Sequence, residues 1–279
     1  MELYNDEASL SPETMAEAIG VMEEVLRQNA PVILSRAGAT ESTDKEDGSP
    51  VTETDREVEE SIKAEFARHG IDIPVYGEEG GYDEHDLPET FWLVDPIDGT
   101  KSFIKGIPTF TSMAALIHKG ETRAAILYNP STDVMYTARK GQGAFRNGER
   151  LDLTGMPLSR VAYCKDRFIA DLDELFSAKG LVCEEAPSGG GYGFMMVAEG
   201  KAGARFNLHS GGYVHDYAPG ALLVSEAGGV LVPVLDDGYT YRTRSFVACH
   251  PALEQEVRRH IEALKRLEAQ PKSSGQTAA

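Results

Sequence analysis

Asp95, Pro96, Ile97, Asp98, Gly99 and Thr100 follow directly on the apolar run Trp92-Leu93-Val94. Two carboxylates three residues apart at the end of a strand gather hard oxygen ligands, and such ligands suit Mg2+. Pro96 biases Asp95 towards an extended backbone, and Gly99 relieves crowding at a turn. Thr100 can then open a helix or tight helical turn, whose outward N–H groups attract phosphate. A cation beside an anion site would let a strongly acidic chain admit an anionic ligand. Asp-Pro and Asp-Gly are also ordinary turn dipeptides, so the hexapeptide alone reads as a β-turn too.

Three further acidic segments stand in a suggestive order. Gly77-Glu78-Glu79-Gly80 follows the strand-like Ile73-Pro74-Val75-Tyr76; alone it is a solvated acidic turn. Val51-Thr52-Glu53-Thr54-Asp55 precedes a helical pattern, where an acid can simply cap the helix or favour its dipole. His215-Asp216-Tyr217-Ala218-Pro219-Gly220 places Asp216 at the start of an apolar helix, again a possible cap.

The elements that must position these residues follow from periodicity. Ser11-Pro12 and apolar residues at helical spacing predict a helix near 12–30, and a second near 53–69. Residues 37–50 are polar and charged and read as a mobile loop. Short β-type runs at 73–76, 91–95, 111–117, 123–128 and 133–138 follow; Lys119-Gly120 and Asn129-Pro130 join the last three as antiparallel hairpins. A composition seam near 152–160 divides the chain into an N-terminal half, 1–154, and a C-terminal half, 155–270. The second half alternates strand and helix patterns: 161–164, 168–179, 181–184, a glycine-rich stretch at 189–193, a helix at 192–200, and another from Ala218 to Ala227. Late strands at 231–234 and 245–248 and a helix from Pro251 to about 268 complete it. Residues 271–279 read as a disordered tail.

Composition narrows the partners. The chain has 279 residues, 41% of them hydrophobic, with 27 basic and 45 acidic side chains and a net charge of −18. A surface of that sign repels nucleic acid polymers and anionic membranes, so neither is expected as a partner. An anionic substrate would need cations at its site. No run approaches the length of a membrane span, and the acidic N-terminus lacks the apolar region of a signal peptide. The three cysteines, Cys164, Cys183 and Cys249, form no CxxC pair, which points to a reduced, cytoplasmic protein.

The order VTETD, GEEG, DPIDGT, then an Asp before an apolar helix ending in EAGG, resembles the inositol monophosphatase family of Mg2+-dependent, lithium-sensitive phosphatases. MYTARKGQGAFRNGERL matches a family hairpin, and the resemblance spans roughly Glu13 to Glu262. It implies an α+β fold, a five-layered αβαβα sandwich of the sugar-phosphatase type, commonly homodimeric. It implies two or three Mg2+ ions: one on Glu78, Asp95 and the Ile97 carbonyl, one on Asp95, Asp98 and Asp216, and a weaker third on Glu78 and water. Asp55 and Thr100 would orient and deprotonate the attacking water, and the N–H groups of Gly99 and Thr100 would hold phosphate. The leaving group would be protonated near Asp216.

The chain also departs from the family pattern. His215 replaces a Trp before the second-half Asp, with packing as its expected role. Tyr217 and Pro219 replace small residues. His209 stands where inositol-cleaving members carry a substrate-binding Glu. Lys101 resembles the histidinol-phosphatase and bisphosphate-nucleotidase branches, although it also reads as a solvated helix charge. Gly190 and Gly191 are expected to line the leaving-group pocket; no P-loop or dinucleotide glycine pattern occurs. The other histidines, His69, His85, His118, His250 and His260, read as surface or core residues. The expected function is hydrolysis of a small polyol or amino-alcohol phosphate, with inositol 1-phosphate first, histidinol phosphate second and a 3′(2′),5′-bisphosphate nucleotide third. The rival readings are a catalytically idle metal-binding member and a cation-binding acidic protein.

Overall fold

Ser11 caps the first helix: its hydroxyl accepts the Thr14 N–H at 3.0 Å, and Pro12 fills the first helical position. This helix, α1 (Pro12–Arg36), runs past its expected end and through Pro31. Pro31 lacks the N–H of one backbone bond, but Ile33 beyond it is buried and keeps the helix on the core. The computed structural model describes residues 10–44, 50–187, 189–208 and 212–270. The expected loop at 37–50 is partly ordered: β1 (Thr43–Asp44) pairs antiparallel with β2 (Pro50–Val51). Residues 45–49, and the tail expected at 271–279, lie outside the described residues.

Helix α2 (Glu53–Arg68) buries Val58, Ile62 and Phe66. Phe66 meets Trp92 edge-on, with ring centroids 6.1 Å apart. Next come β3 (Val75–Gly77), β4 (Thr90–Asp98), the short α3 (Thr100–Ile104), β5 (Thr111–His118), β6 (Glu121–Asn129), β7 (Val134–Arg139), β8 (Gly143–Arg146) and β9 (Glu149–Leu151). These seven strands, β3 to β9, form one sheet in sequence order, antiparallel except for the β3–β4 pair. Lys119-Gly120 and Asn147-Gly148 all have positive φ, as two-residue hairpin turns between right-twisted strands require.

Beyond Leu151 lie β10 (Val161–Cys164), α4 (Ile169–Phe176), β11 (Val182–Glu185), α5 (Gly190–Ala198), β12 (Ala204–Asn207), α6 (Ala218–Glu226), β13 (Val230–Pro233), β14 (Phe246–Cys249), α7 (Glu254–Arg259) and α8 (Ile261–Glu268). The second sheet has the order β11-β10-β12-β14-β13, parallel across β11, β10 and β12 and antiparallel at β14. The helix expected at 192–200 starts two residues earlier, within the glycine stretch. The single terminal helix expected to 268 opens as a 3-10 turn and breaks at His260.

Three of the four hydrophobic clusters among the described residues hold the five layers together. In the first, Ile19, Met22, Ile62 and Phe66 of α1 and α2 cover Trp92, Val94, Ala114 and Ile126 on one face of the large sheet. In the second, Met113, Leu127 and Tyr136 on its other face meet Phe194, Val197, Leu223 and Phe246. In the third, Cys164, Phe206 and Val247 face Leu172, Phe176, Val257 and Leu264 of the outer helices. Phe246 and Val247 point to opposite sides, as adjacent strand residues must. Each large side chain buried this way contributes about 1.5–3 kcal/mol. The result is the expected αβαβα sandwich.

Candidate active site

Asp95 and Asp98 both belong to β4, not to a turn beyond it. Asp95 pairs with Met113 and Asp98 with Thr111, so three steps along β4 match two along β5. The extra residue is a β-bulge, a device that re-aims side chains. It turns both carboxylates to one place. Gly99 then takes φ +88°, a left-handed conformation open to glycine, and α3 begins at Thr100. The Thr100 hydroxyl donates to the Ile97 carbonyl at 3.2 Å.

Ligand atoms of Asp95, Asp98 and Asp216 lie within 4.8 Å of one another, and so do those of Glu78, Asp95 and His215. Asp95 is common to both groups. It is 2% exposed and accepts the Ile97 N–H at 3.1 Å. Burial, then Glu78, Asp98, Asp216 and Asp55, holds its carboxyl well above the usual range. Asp98 is pushed up to about 6 by burial and by Asp216, against the pull of its donors. Those donors are the N–H groups of Gly190 and Gly191, both at 2.7 Å, and the Thr111 hydroxyl at 3.1 Å.

Gly190 and Gly191 also bond Asp98. Their N–H groups face a carboxylate, and only Gly190 lines the cleft described below. A Cβ on Gly191 would lie 2.4 Å from the Thr111 hydroxyl, and one on Gly190 2.6 Å from the Asp216 carbonyl. Glycine therefore lets the start of α5 close on β4 and β5.

Asp216 ends a 3-10 turn at Val214–Asp216, and its carboxylate accepts the Tyr213 N–H at 2.6 Å. Asp55 sits at the third position of α2 and completes a capping box with Thr52. One of its oxygens accepts the Thr52 N–H at 2.9 Å and the Thr52 hydroxyl at 2.6 Å. Burial raises its pKa to about 6, with Glu79 and Glu78 adding to the rise. Asp55 and Thr100 are each bonded to other partners, Thr52 and the Ile97 carbonyl, in this state. His209 lies outside the described residues.

His215 is packed as expected, stacked on Tyr213 at 5.4 Å between ring centroids, but it also enters the cluster. Its Nδ1 bonds the Tyr82 hydroxyl at 2.9 Å, and its Nε2 lies 3.8 Å from both a Glu78 and an Asp216 oxygen. Glu59 has no counterpart among the residues picked from sequence. It is 2% exposed, accepts the N–H groups of Glu79 and Gly80 at 2.9–3.2 Å, and pairs with Lys63 at 2.7 Å. It thereby ties α2 to the loop that carries Glu78. In sequence it is one of several acids on a charged helix, with no local mark of burial.

A cleft of about 840 Å3 opens beside Asp98 and Asp216. Lys101, Lys105, Lys165 and Arg205 line it, with Asp166 and Glu185. Arg205 leaves β12, stacks over Phe194 at 5.1 Å, and bonds Asn207 through Nε at 3.0 Å. Burial pushes its pKa down against the attraction of Asp98 and Asp216.

Comparison with known proteins gives the same assignment by a separate route. The inositol monophosphatase family profile matches residues 10–267. A histidinol-phosphatase of Chlorobaculum parvum is 34% identical over 195 residues, covering 66% of this chain and 73% of the relative. Nus factor SuhB of Escherichia coli is 32% identical over 232 residues, covering 76% and 82%. An IMPase structure from Thermotoga maritima superposes with a TM-score of 0.78 at 22% identity, over 90% of this chain and 98% of that one. The chain belongs to the inositol monophosphatase family of metal-dependent phosphoric monoester hydrolases.

Proposed function

We propose that this chain hydrolyses a small organic phosphate monoester, using Mg2+ held by Glu78, Asp95, the Ile97 carbonyl, Asp98 and Asp216. The observation that carries the proposal is Asp95, a buried carboxylate shared by two groups of ligands, one of which includes the cleft-lining Asp98 and Asp216. All donors of these two groups except the His215 nitrogen are hard carboxylate oxygens, and burial and their mutual repulsion raise the Asp95 and Asp98 pKa values. Such a set fits a dication. Bound there, divalent cations would neutralise phosphate charge and acidify water.

The chain's own residues supply the rest. The backbone N–H groups of Gly99 and Thr100 bind phosphate oxygens at the start of α3. Thr100 orients the attacking water through its hydroxyl, and Asp55 takes the proton; a pKa of about 6 keeps Asp55 largely ionised and able to do so at neutral pH. Gly190, Gly191 and Thr111 fix the Asp98 carboxylate. Asp216 lines the cleft, and the leaving group would be protonated near it.

Phosphate release from inositol 1-phosphate, histidinol phosphate and adenosine 3′,5′-bisphosphate, with Mg2+ and with excess EDTA, tests the proposal. Release from one or more with Mg2+ and none in EDTA is expected. Full activity in EDTA refutes the metal mechanism. Metal binding without release from a wide panel of monoesters would identify an idle family member.

A further inference from the structure

His215 brings a nitrogen to a cluster otherwise made of carboxylates. Its ring is 1% exposed, and its orientation is fixed. Tyr213 stacks on it at 5.4 Å between centroids, and the Tyr82 ring lies 5.9 Å away, tilted by 70°. The Tyr82 hydroxyl bonds Nδ1 at 2.9 Å. With Nδ1 engaged by Tyr82, Nε2 is the nitrogen on the side of the acids. It lies 3.8 Å from an oxygen of Glu78 and 3.8 Å from one of Asp216. Ligand atoms of Glu78, Asp95 and His215 stand within 4.8 Å of one another.

These separations suit a shared ion. A hydrogen bond between nitrogen and oxygen spans about 2.7–3.2 Å. Two donors each about 2.1 Å from one dication can stand up to about 4.2 Å apart. Packing alone does not call for an imidazole, since an all-carbon aromatic ring fills the same space without burying polar atoms. An imidazole that binds metal through one nitrogen is typically held by a bond at the other, and the Tyr82 hydroxyl stands at that position.

The two ligand groups therefore differ in kind. Asp95, Asp98 and Asp216 offer oxygens alone, the donors that suit Mg2+. Glu78, Asp95 and His215 offer two carboxylates and an imidazole. Imidazole suits later first-row dications such as Co2+ and Zn2+.

We infer that His215 Nε2 is a ligand of the metal on Glu78 and Asp95, and that this site selects a later first-row dication over Mg2+ while the all-oxygen site keeps Mg2+. In that role Nδ1–H donates to the Tyr82 oxygen, and Nε2 carries the lone pair. The inference rests on the reading of the acidic cluster as a metal centre and refines which ion its Glu78 side takes.

Co2+ tests it on the full chain, since calorimetry gives its affinity and anomalous diffraction its position. Crystals grown with Co2+ should show a peak about 2.1 Å from Nε2. His215→Phe keeps a ring against Tyr213 and Tyr82 and removes both nitrogens, with circular dichroism as its folding control. It should weaken Co2+ binding at least about tenfold, no less than losing a partner behind a ligand commonly costs. Mg2+ binding should weaken less than about threefold. Tyr82→Phe removes only the hydroxyl behind Nδ1 and should act in the same direction with a smaller loss. Co2+ peaks that all lie beyond bonding distance of Nε2, or equal losses for the two metals in His215→Phe, overturn the ligand. A gain for both metals in that variant also overturns it and makes His215 a buried positive charge that metal displaces. Phosphate release, measured separately, keeps the two readings apart. Release with Co2+ seated away from Nε2 removes only the ligand, and Co2+ on Nε2 without release from any monoester removes only the phosphatase reading.

Discussion

Replacing Asp55 with asparagine should stabilise the metal-free protein at neutral pH while disabling it. Asp55 is 1% exposed, and burial, aided by Glu79 and Glu78, lifts its pKa from 3.8 to about 6. That rise makes ionisation in the folded chain cost about 3 kcal/mol. Because the folded pKa is the higher one, the advantage of the neutral carboxyl is complete below 3.8 and is lost as pH rises through about 6. Asparagine stays neutral throughout, and its carbonyl can keep a bond from Thr52. It forfeits the attraction of a carboxylate to the N-terminus of α2, about 0.3–1 kcal/mol. The net gain at pH 7.5 is about 2 kcal/mol, or about 4–8 °C in Tm for a chain of this size. At pH 5 the gain should fall by about half. Thermal melts of both proteins in EDTA at the two pH values measure it. In Mg2+, phosphate release should drop about 10²- to 10⁴-fold, the usual loss for general-base help. An asparagine variant that is less stable at pH 7.5, or whose difference ignores pH, would refute the assignment of Asp55 as a buried carboxylate held for chemistry.

Glu59→Gln should raise the Mg2+ midpoint about 10- to 100-fold, as loss of support behind a metal ligand commonly does, because Glu59 fixes the loop of Glu78; an unchanged midpoint in a calorimetric titration would leave Glu59 a purely structural residue. Asp98→Asn should damage Mg2+ binding, since an amide cannot accept the Gly190 and Gly191 N–H groups with both ends. Thr100→Ala should lower kcat at saturating Mg2+ with a smaller change in the midpoint, because the backbone N–H proposed to bind phosphate survives. A near-normal kcat would reduce Thr100 to a helix start that bonds the Ile97 carbonyl.

Local chemistry made much of this molecule legible. Lys119-Gly120 marks a hairpin because the turn needs positive φ, and Ser11-Pro12 marks a helix start because capping is local. The DPIDGT segment is informative for the same reason: its acids, glycine and threonine act within six residues. What escaped depends on partners far along the chain. Asp98 is held by N–H groups 92 and 93 residues away, so the sequence does not show that Gly190 and Gly191 bond it. Tyr82 meets His215 across 133 residues. Glu59 is buried by a loop about 20 residues downstream. Arg205 sits in a short strand whose sequence, Ala204-Arg205-Phe206-Asn207, gives the direction of alternate side chains but not the cleft that one face lines. The persistence of α1 through Pro31 likewise comes from the burial of Ile33, a tertiary effect that outweighs one missing backbone bond.

Anomalous diffraction from crystals grown with Mn2+, a hard dication that suits the same oxygen donors, tests the two-cation centre most directly. Two peaks are expected, one between Glu78, Asp95 and the Ile97 carbonyl and one between Asp95, Asp98 and Asp216, and both should vanish in an Asp95→Asn crystal. Peaks confined to other acidic surfaces, or none at millimolar Mn2+, would contradict the metal centre and the phosphatase mechanism built on it.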